Sequence, residues 1–485
     1  MKDTPSPTYV ELLNDFNIEK FVQSQLADSF DHGDAEDPFL VCDLGDVVAK
    51  HQRWKTEFPR VHPHYAIKCN TDTVLLKTMM ALGTGFDCAS KVEIKKMLEL
   101  GASPERIIFA NPCKQKSHIV YAKEQGVKLV VFDNENELFK MKKLYPDAQL
   151  VLRIQTDDSA SICRFSMKYG ADPEACPQLI DIARNLNLNV VGISFHVGSG
   201  CQDVNAFVKA LQNSRKLFDY AKTVGYDFNL LDIGGGFPGT KDVDLTFEKI
   251  TSVVNFQLHQ LFPSKQFPHV NVIAEPGRYY AASAFTLVTN VIATRQVARD
   301  IPAEGYSDSI DSVRNGVTPT ANEERAYMYY INDGLYGSFN CLFFDHAKVT
   351  PTLLDVSAKQ SKFSSSIWGP TCDGLDRIIE HMLMPQLNTG DWIVWKDMGA
   401  YTIAAGSSFN GFKTQKVYYH ISDEKRDLLT KLADTKVKGV EFSCFASSMC
   451  CQANKKIQNL TKKEAAPKDP NPIGENTEQP IPVYM

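Results

Sequence analysis

The stretch His64-Tyr65-Ala66-Ile67-Lys68-Cys69-Asn70 puts a lysine at the end of a short apolar run that reads as a buried strand. A lysine is rarely buried without a partner. Desolvation is expected to lower its pKa, and a neutral amine attacks carbonyl carbons. A lysine paired with a nearby carboxylate is the plainer alternative. Further along, Asp232-Ile233-Gly234-Gly235-Gly236-Phe237-Pro238-Gly239 follows another apolar run. Consecutive glycines expose backbone N–H groups and let the chain approach an anion closely. The fit of Gly234 to Gly239 to a dinucleotide fingerprint is by letter only, because the run is late in the chain and no helix opens from it. A tight turn is the alternative. Arg278 offers a bidentate clamp for an anion and Ser199 a hydroxyl. Glu275, in Ala274-Glu275-Pro276-Gly277-Arg278, reads either as an ion-pair partner of Arg278 or as a buried carboxylate for a protonated ring nitrogen. His196 reads either as a hydrogen-bonded core histidine or as a flat ring stacked on an aromatic ligand.

These residues need a frame that brings them together, and the hydrophobic pattern supplies one. Apolar runs recur at His64 to Ile67, Gly85 to Cys88, Ile107 to Ala110, Leu129 to Phe132, Leu150 to Ile154, Val190 to Phe195, Leu230 to Ile233 and Val270 to Ala274. Between them lie helix-length amphipathic stretches, among them Thr73 to Leu82, Lys91 to Leu100, Ser117 to Gln125, Glu135 to Leu144 and Phe207 to Val224. This alternation predicts a (β/α)8 barrel of the TIM type. Lys68, Asp87, Ser90, Asn111, Asp133, Arg153, His196, the three glycines and Glu275 all stand at or just after the end of a run. In such a barrel they share the C-terminal rim, where barrel enzymes carry their chemistry.

After Tyr280 the texture becomes β-rich, with strand candidates at Phe285 to Ile292, Tyr327 to Ile331, Trp392 to Trp395 and Val417 to His420. The expectation is a second, all-β domain of sandwich or barrel-like form that the early run at Phe39 joins. The expected divisions are 1–43 (joining the β domain), 44–283 (barrel), 284–425 (β domain) and 426–485 (a variable tail, disordered from about Asn454). A long surface loop is expected from Arg299 to Arg325.

The chain has 485 residues, 43% of them hydrophobic and 23% charged, which suits a soluble protein with a large core. A net charge of -6 argues against a nucleic-acid or anionic-membrane partner. The first residues carry no apolar signal core, and no run reaches membrane-spanning length. The 12 cysteines show no zinc-like spacing and are expected as cytoplasmic thiols. No metal site is expected, at His62-Pro63-His64 or at Cys450-Cys451.

A reactive lysine, an anion cradle, a carboxylate for a ring nitrogen and a stacking imidazole together describe a site for pyridoxal 5'-phosphate. On these residues the chain resembles the eukaryotic ornithine decarboxylases, pyridoxal-phosphate enzymes of the alanine-racemase-like fold family. The resemblance runs from about Phe39 to about His420. It is carried by Pro63 to Asn70, Gly85 to Ser90, Ala110 to Lys114, Ser194 to Gly200, Asp232 to Gly239, Glu275 to Tyr280, Trp368 to Asp376 and Asp397 to Tyr401. It implies that Lys68 forms the Schiff base with the cofactor, supported by Asp87 and Glu93, and that His196 stacks on the cofactor. It implies a phosphate site of Ser199, Gly236, Arg278 and Tyr401, lined by Gly234, Gly235, Pro276 and Gly277, with Glu275 at the ring nitrogen. Cys372 would return a proton to the substrate carbon after CO2 leaves, and Asp345 and Asp373, beside Phe344, would bind the distal amine. It further implies a cytoplasmic homodimer in which Cys372 and Asp373 serve the partner's site and Lys168 pairs with Asp376 across the interface.

Phe344 stands where the family has tyrosine, which removes a hydroxyl near the distal end of the substrate. Residues 116–145 are similar to the family's antizyme-binding region, so antizyme is a candidate partner. The C-terminal tail does not match the family's degradation tail. The expected activity is decarboxylation of ornithine to putrescine, opening polyamine synthesis. The alternatives are decarboxylation of lysine or a neutral amino acid, and an inactive antizyme-inhibitor-like regulator.

Overall fold

In the computed structural model, residues 17–18, 20–21, 36–241, 243–298, 325–354, 361–412, 415–422 and 424–429 are described. All of them fall within one compact unit, Leu13–Val440. Of the loop expected from Arg299 to Arg325, all but Arg325, which opens the strand Arg325–Ile331, lies outside the described residues, as do the tail beyond 429 and Cys450-Cys451.

Eight parallel strands close into a barrel: Val61–Ala66, Gly85–Cys88, Ile107–Phe109, Leu129–Phe132, Gln149–Arg153, Asn189–Ser194, Leu230–Asp232 and Asn271–Ala274. Each pairs with the next in sequence, and the last closes on the first through Val272 opposite Val61. Every strand falls within a few residues of an expected run. Inward residues such as Ile108, Val131, Val151, Val191, Leu230 and Ile273 form one buried cluster. A tightly packed interior of this kind holds the strand ends at fixed spacing.

Local chemistry starts the helices where the pattern places them. Asp72, Ser90, Asn134 and Thr246 accept from backbone N–H groups in the first turns of Thr73–Ala81, Lys91–Glu99, Glu135–Leu144 and Phe247–Leu261. The helix Leu44–Glu57, capped by Asp43, precedes the first barrel strand. Its Trp54 packs edge-on against Phe237 at 5.1 Å, and its Lys50 Nζ donates to the carbonyl of Gly239 at 2.8 Å. That helix therefore fixes the glycine loop from behind.

The second sheet has eight strands and mixed direction. Its spine is the long strand Phe285–Ala298, whose first half pairs with Phe39–Asp43 and Trp392–Trp395 and whose second half pairs with Arg325–Ile331. The register shifts between Val291 and Ala293, where one set of partners replaces the other. Phe39–Asp43 does join this sheet, and it also pairs in parallel with Lys416–His420. Three strands of this sheet had no expectation: Pro351–Leu353, Lys362–Trp368 and Arg377–Pro385. The second of these reads Lys-Phe-Ser-Ser-Ser-Ile-Trp, and the third slips register against it, so neither shows a clean two-residue alternation.

His64 is buried on the first barrel strand, and burial, reinforced by His62, lowers its pKa from 6.5 to about 3. The folded state therefore prefers the neutral ring. That contribution to stability is complete above pH 6.5 and is lost as pH falls from 6.5 towards 3. Between pH 7 and pH 5 we expect the wild type to lose about 2 kcal/mol more unfolding free energy than His64→Gln. Urea melts at both pH values measure the difference, and equal losses would contradict it.

Candidate active site

The rim residues converge. Lys68 lies in the 3-10 turn Ile67–Cys69 that follows Val61–Ala66, one step beyond the strand in which it was expected. Its Nζ donates to Asp87 Oδ2 at 2.7 Å. The Lys68 side chain is 40% exposed whereas that of Asp87 is 1% exposed, so the amine opens into a cleft with its partner sealed behind it. The expectation of a lowered lysine pKa is corrected here. Burial does pull it down, but Asp87, Glu275 and Tyr401 together outweigh burial and raise it. The resting group is an ammonium. Glu93 acts one step away: its Oε2 accepts from Ala89 N at 2.5 Å, and Ser90 caps the helix that follows.

The glycine run makes the turn that the sequence suggested. Gly234 and Gly236 have φ of +64° and +106°, a region that glycine enters without steric cost. Gly235 keeps the floor flat. A Cβ there would sit 2.7 Å from His196 Nε2 and 2.9 Å from the carbonyl oxygen of Glu275. Gly277 fits against Cys69, where a Cβ would stand 2.8 Å from its Cβ, and the carbonyl of Pro276 accepts from Ala66 N at 3.1 Å. His196 follows Asn189–Ser194. Its Nδ1 accepts from Gly198 N at 3.0 Å, and Phe165 meets its ring edge-on at 4.9 Å. Burial, with Arg153 and Lys68 nearby, lowers its pKa well below 6.5, so the imidazole is neutral.

Arg278 does not pair with Glu275. Its guanidinium holds Asp345 bidentately, at 2.7 Å to Oδ2 and 2.5 Å to Oδ1, and donates to Ser199 Oγ at 2.9 Å. The Tyr401 ring lies 5.2 Å from the guanidinium carbon. Asp345, expected as a bare acid for a substrate cation, therefore already has a cation beside it. Glu275 is buried with Asp232 instead. Burial and then Asp232 push the Glu275 pKa well up, and burial takes that of Asp232 to about 7.

Lys68, His196, Ser199, Gly235, Gly236, Glu275, Gly277, Arg278 and Tyr401 line one cleft of about 310 Å³. Cys372 and Asp373 are not among its lining residues. They lie on the loop between Lys362–Trp368 and Arg377–Pro385, with Cys372 exposed. Asp373 Oδ2 accepts from the Tyr336 hydroxyl, and Tyr336 packs on Phe409 with ring centroids 4.4 Å apart. The Tyr336 hydroxyl, followed by the Leu375 N–H, lowers the Asp373 pKa. Cys372 N donates to Asn410 Oδ1 at 3.1 Å. This loop borders a second cleft of about 290 Å³, lined in part by Tyr336, Thr371 and Phe409. The expected site residues therefore lie in two separate places within one chain. Phe344 is 73% exposed beside Asp345, on the short helix Cys341–Phe344.

Asp376, expected to reach Lys168 of a partner, is 1% exposed and is committed within its own chain. Its carboxylate accepts from Leu335 N at 2.7 Å and from Thr371 N and Oγ1 at 3.0 and 2.7 Å. It builds the Cys372 loop. The Nζ of Lys168 lies 5.0 Å from the ring of its neighbour Tyr169. Sequence reasoning missed Asp232, Tyr336, Phe409 and Asn410. The first was visible as a carboxylate opening the glycine run; the others carry no local signal.

The donor set fits pyridoxal phosphate. An amine stands at one side of the cleft. A guanidinium and a hydroxyl stand at another, above a floor that a single Cβ would fill. A buried carboxylate pair supplies the polar contact that a ring nitrogen needs. Comparison with known proteins agrees. Residues 44–282 match the family described as pyridoxal-dependent decarboxylase, pyridoxal binding domain. The chain is 48% identical to ornithine decarboxylase of Mus musculus over 414 residues, which is 85% of this chain and 87% of that one. It is 50% identical to antizyme inhibitor 2 of Xenopus laevis over 384 residues, 79% of this chain and 81% of that one. Among solved structures it resembles the arginine decarboxylase of Paramecium bursaria Chlorella virus bound to agmatine. The TM-score there is 0.73 and the identity 35%, covering 83% of this chain and all of that one. With a cleft built for the cofactor and close identity over most of its length, this chain belongs to the pyridoxal-dependent decarboxylases, in the family of the eukaryotic ornithine decarboxylases.

Proposed function

We propose that this chain is an ornithine decarboxylase, converting L-ornithine to putrescine and CO2 with pyridoxal 5'-phosphate as cofactor, and so opens polyamine synthesis. The observation that carries the reading is one cleft lined by Lys68, the Arg278–Ser199 cradle and Glu275, with Asp87 buried behind Lys68 and accepting from its Nζ. The cofactor, when bound, supplies an electron sink for the carbanion left by CO2. Lys68 would be the amine for its aldehyde, and Asp87 holds Nζ in place. Ser199, Gly236, Arg278 and Tyr401 would hold the phosphate, with Gly234, Gly235, Pro276 and Gly277 lining its site. His196 would offer a neutral ring for stacking, and Glu275 would hold the ring nitrogen. Cys372 donates a proton to the substrate carbon, and Asp345 and Asp373 receive the distal ammonium beside Phe344.

We also propose a homodimer, because the Cys372 loop does not line its own chain's Lys68 cleft. Residues 44–283 form the cofactor-binding unit, and Phe39–Asp43 belongs with the sheet of 284–425. Among the described residues no helix is long and apolar enough to cross a membrane; the cytoplasmic location is proposed from the family resemblance alone.

The second reading is an antizyme-binding regulator without activity, favoured by the Xenopus relative and by the similarity at 116–145. The intact Lys68–Asp87 pair and cradle favour the enzyme. The test is amine release by the cofactor-loaded protein from ornithine, lysine and arginine. Putrescine is expected as the main product. No amine from any of them would leave the regulator. Gly235→Ala adds a further check. Overpacking against His196 and Glu275 should weaken cofactor binding by about 1–3 kcal/mol, read by equilibrium dialysis. Unchanged binding would remove the glycine floor from the site.

A further inference from the structure

Asp232 has no assigned role. It ends the strand Leu230–Asp232, paired with Ile273 two residues before Glu275, and it is 0% exposed. Its Oδ1 accepts from Gly234 N at 2.9 Å, and the Gly234 carbonyl accepts from Glu275 N at 2.6 Å. The glycine turn thus ties the Asp232 carboxylate, through Gly234 N, to the backbone of Glu275. Its Oδ2 is buried and has no hydrogen-bond donor. A buried carboxylate oxygen without a donor is costly, and two buried carboxylates in contact cannot both be ionised cheaply. One proton between them removes both costs, because a protonated carboxyl is a donor for the neighbouring carboxylate. The charges around the pair are Asp87 on Gly85–Cys88, Lys68 beyond Val61–Ala66 and Arg153 at the end of Gln149–Arg153. His196, whose Nε2 faces Gly235, is neutral.

We infer that Asp232 is a positioning residue for the ring nitrogen: with Glu275 it shares one proton in the empty cleft, and a protonated ring nitrogen takes that proton's place. The exchange balances. One carboxyl O–H bond breaks and its proton leaves to solvent. The ring N–H stays intact, and its positive charge then faces two ionised carboxylates. The net charge buried at this point does not change. Asp232 thereafter stands as a second negative charge behind Glu275 and keeps the ring nitrogen protonated while the substrate carbon loses CO2. The inference rests on the reading of Glu275 as the ring-nitrogen partner.

The test uses the full chain freed of cofactor and pyridoxine 5'-phosphate as probe. The probe has the phosphate and a ring nitrogen that is protonated at neutral pH, and it lacks the aldehyde, so Lys68 adds no proton change. Calorimetry in buffers of different ionisation heat counts protons. We expect the wild type to release about one proton per site on binding, with affinity rising about tenfold per pH unit from pH 7 to 8. Asp232→Asn puts an amide donor beside Glu275, which then ionises in the empty cleft. Release should fall to near zero and the pH dependence should flatten. Infrared difference spectra of the wild type need no variant: the C=O stretch of a protonated carboxyl should vanish on binding. Equal proton release in both proteins, or no such band in the wild type, overturns the inference. An analogue with CH in place of the ring nitrogen separates the two readings. Weaker binding of this analogue keeps Glu275 as the ring-nitrogen partner whatever Asp232 does. Binding as tight as that of the probe overturns both.

Discussion

Mixing two dead variants, Lys68→Ala and Cys372→Ala, should restore about a quarter of the wild-type activity. Each alone is expected to be nearly inactive, the first for want of the amine in the barrel cleft and the second for want of the proton donor. The two residues lie on different elements, and Cys372 does not line the cleft that holds Lys68. In an isologous dimer each site would take Lys68 from one chain and Cys372 from the other. A mixed dimer then has one site with both defects and one with neither. Random exchange makes about half the dimers mixed, and each of these carries one intact site in two. The measurement is putrescine release after subunit exchange, with exchange followed independently by mass-tagged subunits. Confirmed exchange without recovery would mean that each site is built from a single chain. The same Lys68→Ala protein should lose the visible absorbance of bound cofactor, and an unchanged band would remove Lys68 from its role.

Ornithine should exceed leucine in kcat/KM by on the order of 10³. Two stranded acids would justify a larger factor, about 10⁴, because a site that leaves polar groups unpaired rejects the wrong substrate strongly. The structure reduces this. Asp345 is held by both nitrogens of Arg278, so an alkyl side chain does not leave it alone. Asp373 is part-exposed and already accepts from Tyr336. The remaining discrimination is two charge-assisted hydrogen bonds to the distal ammonium, each worth about 2 kcal/mol. Steady-state kinetics with both amino acids measure the ratio. Leucine turned over as well as ornithine would show that the surroundings of Phe344 form an apolar pocket, and the distal-amine reading would be wrong.

The barrel and its rim were legible from the sequence because both are local. A parallel strand buried on both faces reads as a short apolar run, and its C-terminal end is the next residue along. Lys68, Asp87, His196, Gly234 to Gly236 and Glu275 could therefore be placed on one rim without coordinates, and Glu135–Leu144 could be bounded by its Asn134 cap. The cofactor followed from the residue types at those ends. Pairings between elements distant in the chain were not legible. Arg278 could have met Glu275, three residues away, but it turns to Asp345, 67 residues on, and Glu275 turns to Asp232. The pKa of Lys68 depended on the same packing. Its sequence neighbours announce burial, which lowers it, whereas Asp87 from the adjacent strand raises it. Nothing near Asp376 in the sequence shows that its carboxylate accepts from Leu335 and Thr371 and so shapes the Cys372 loop. Sequence fixes which groups a rim carries, because strand ends are set by local hydrophobic pattern. Which group pairs with which depends on distances across the barrel mouth and on the second sheet, and only the closed fold sets those.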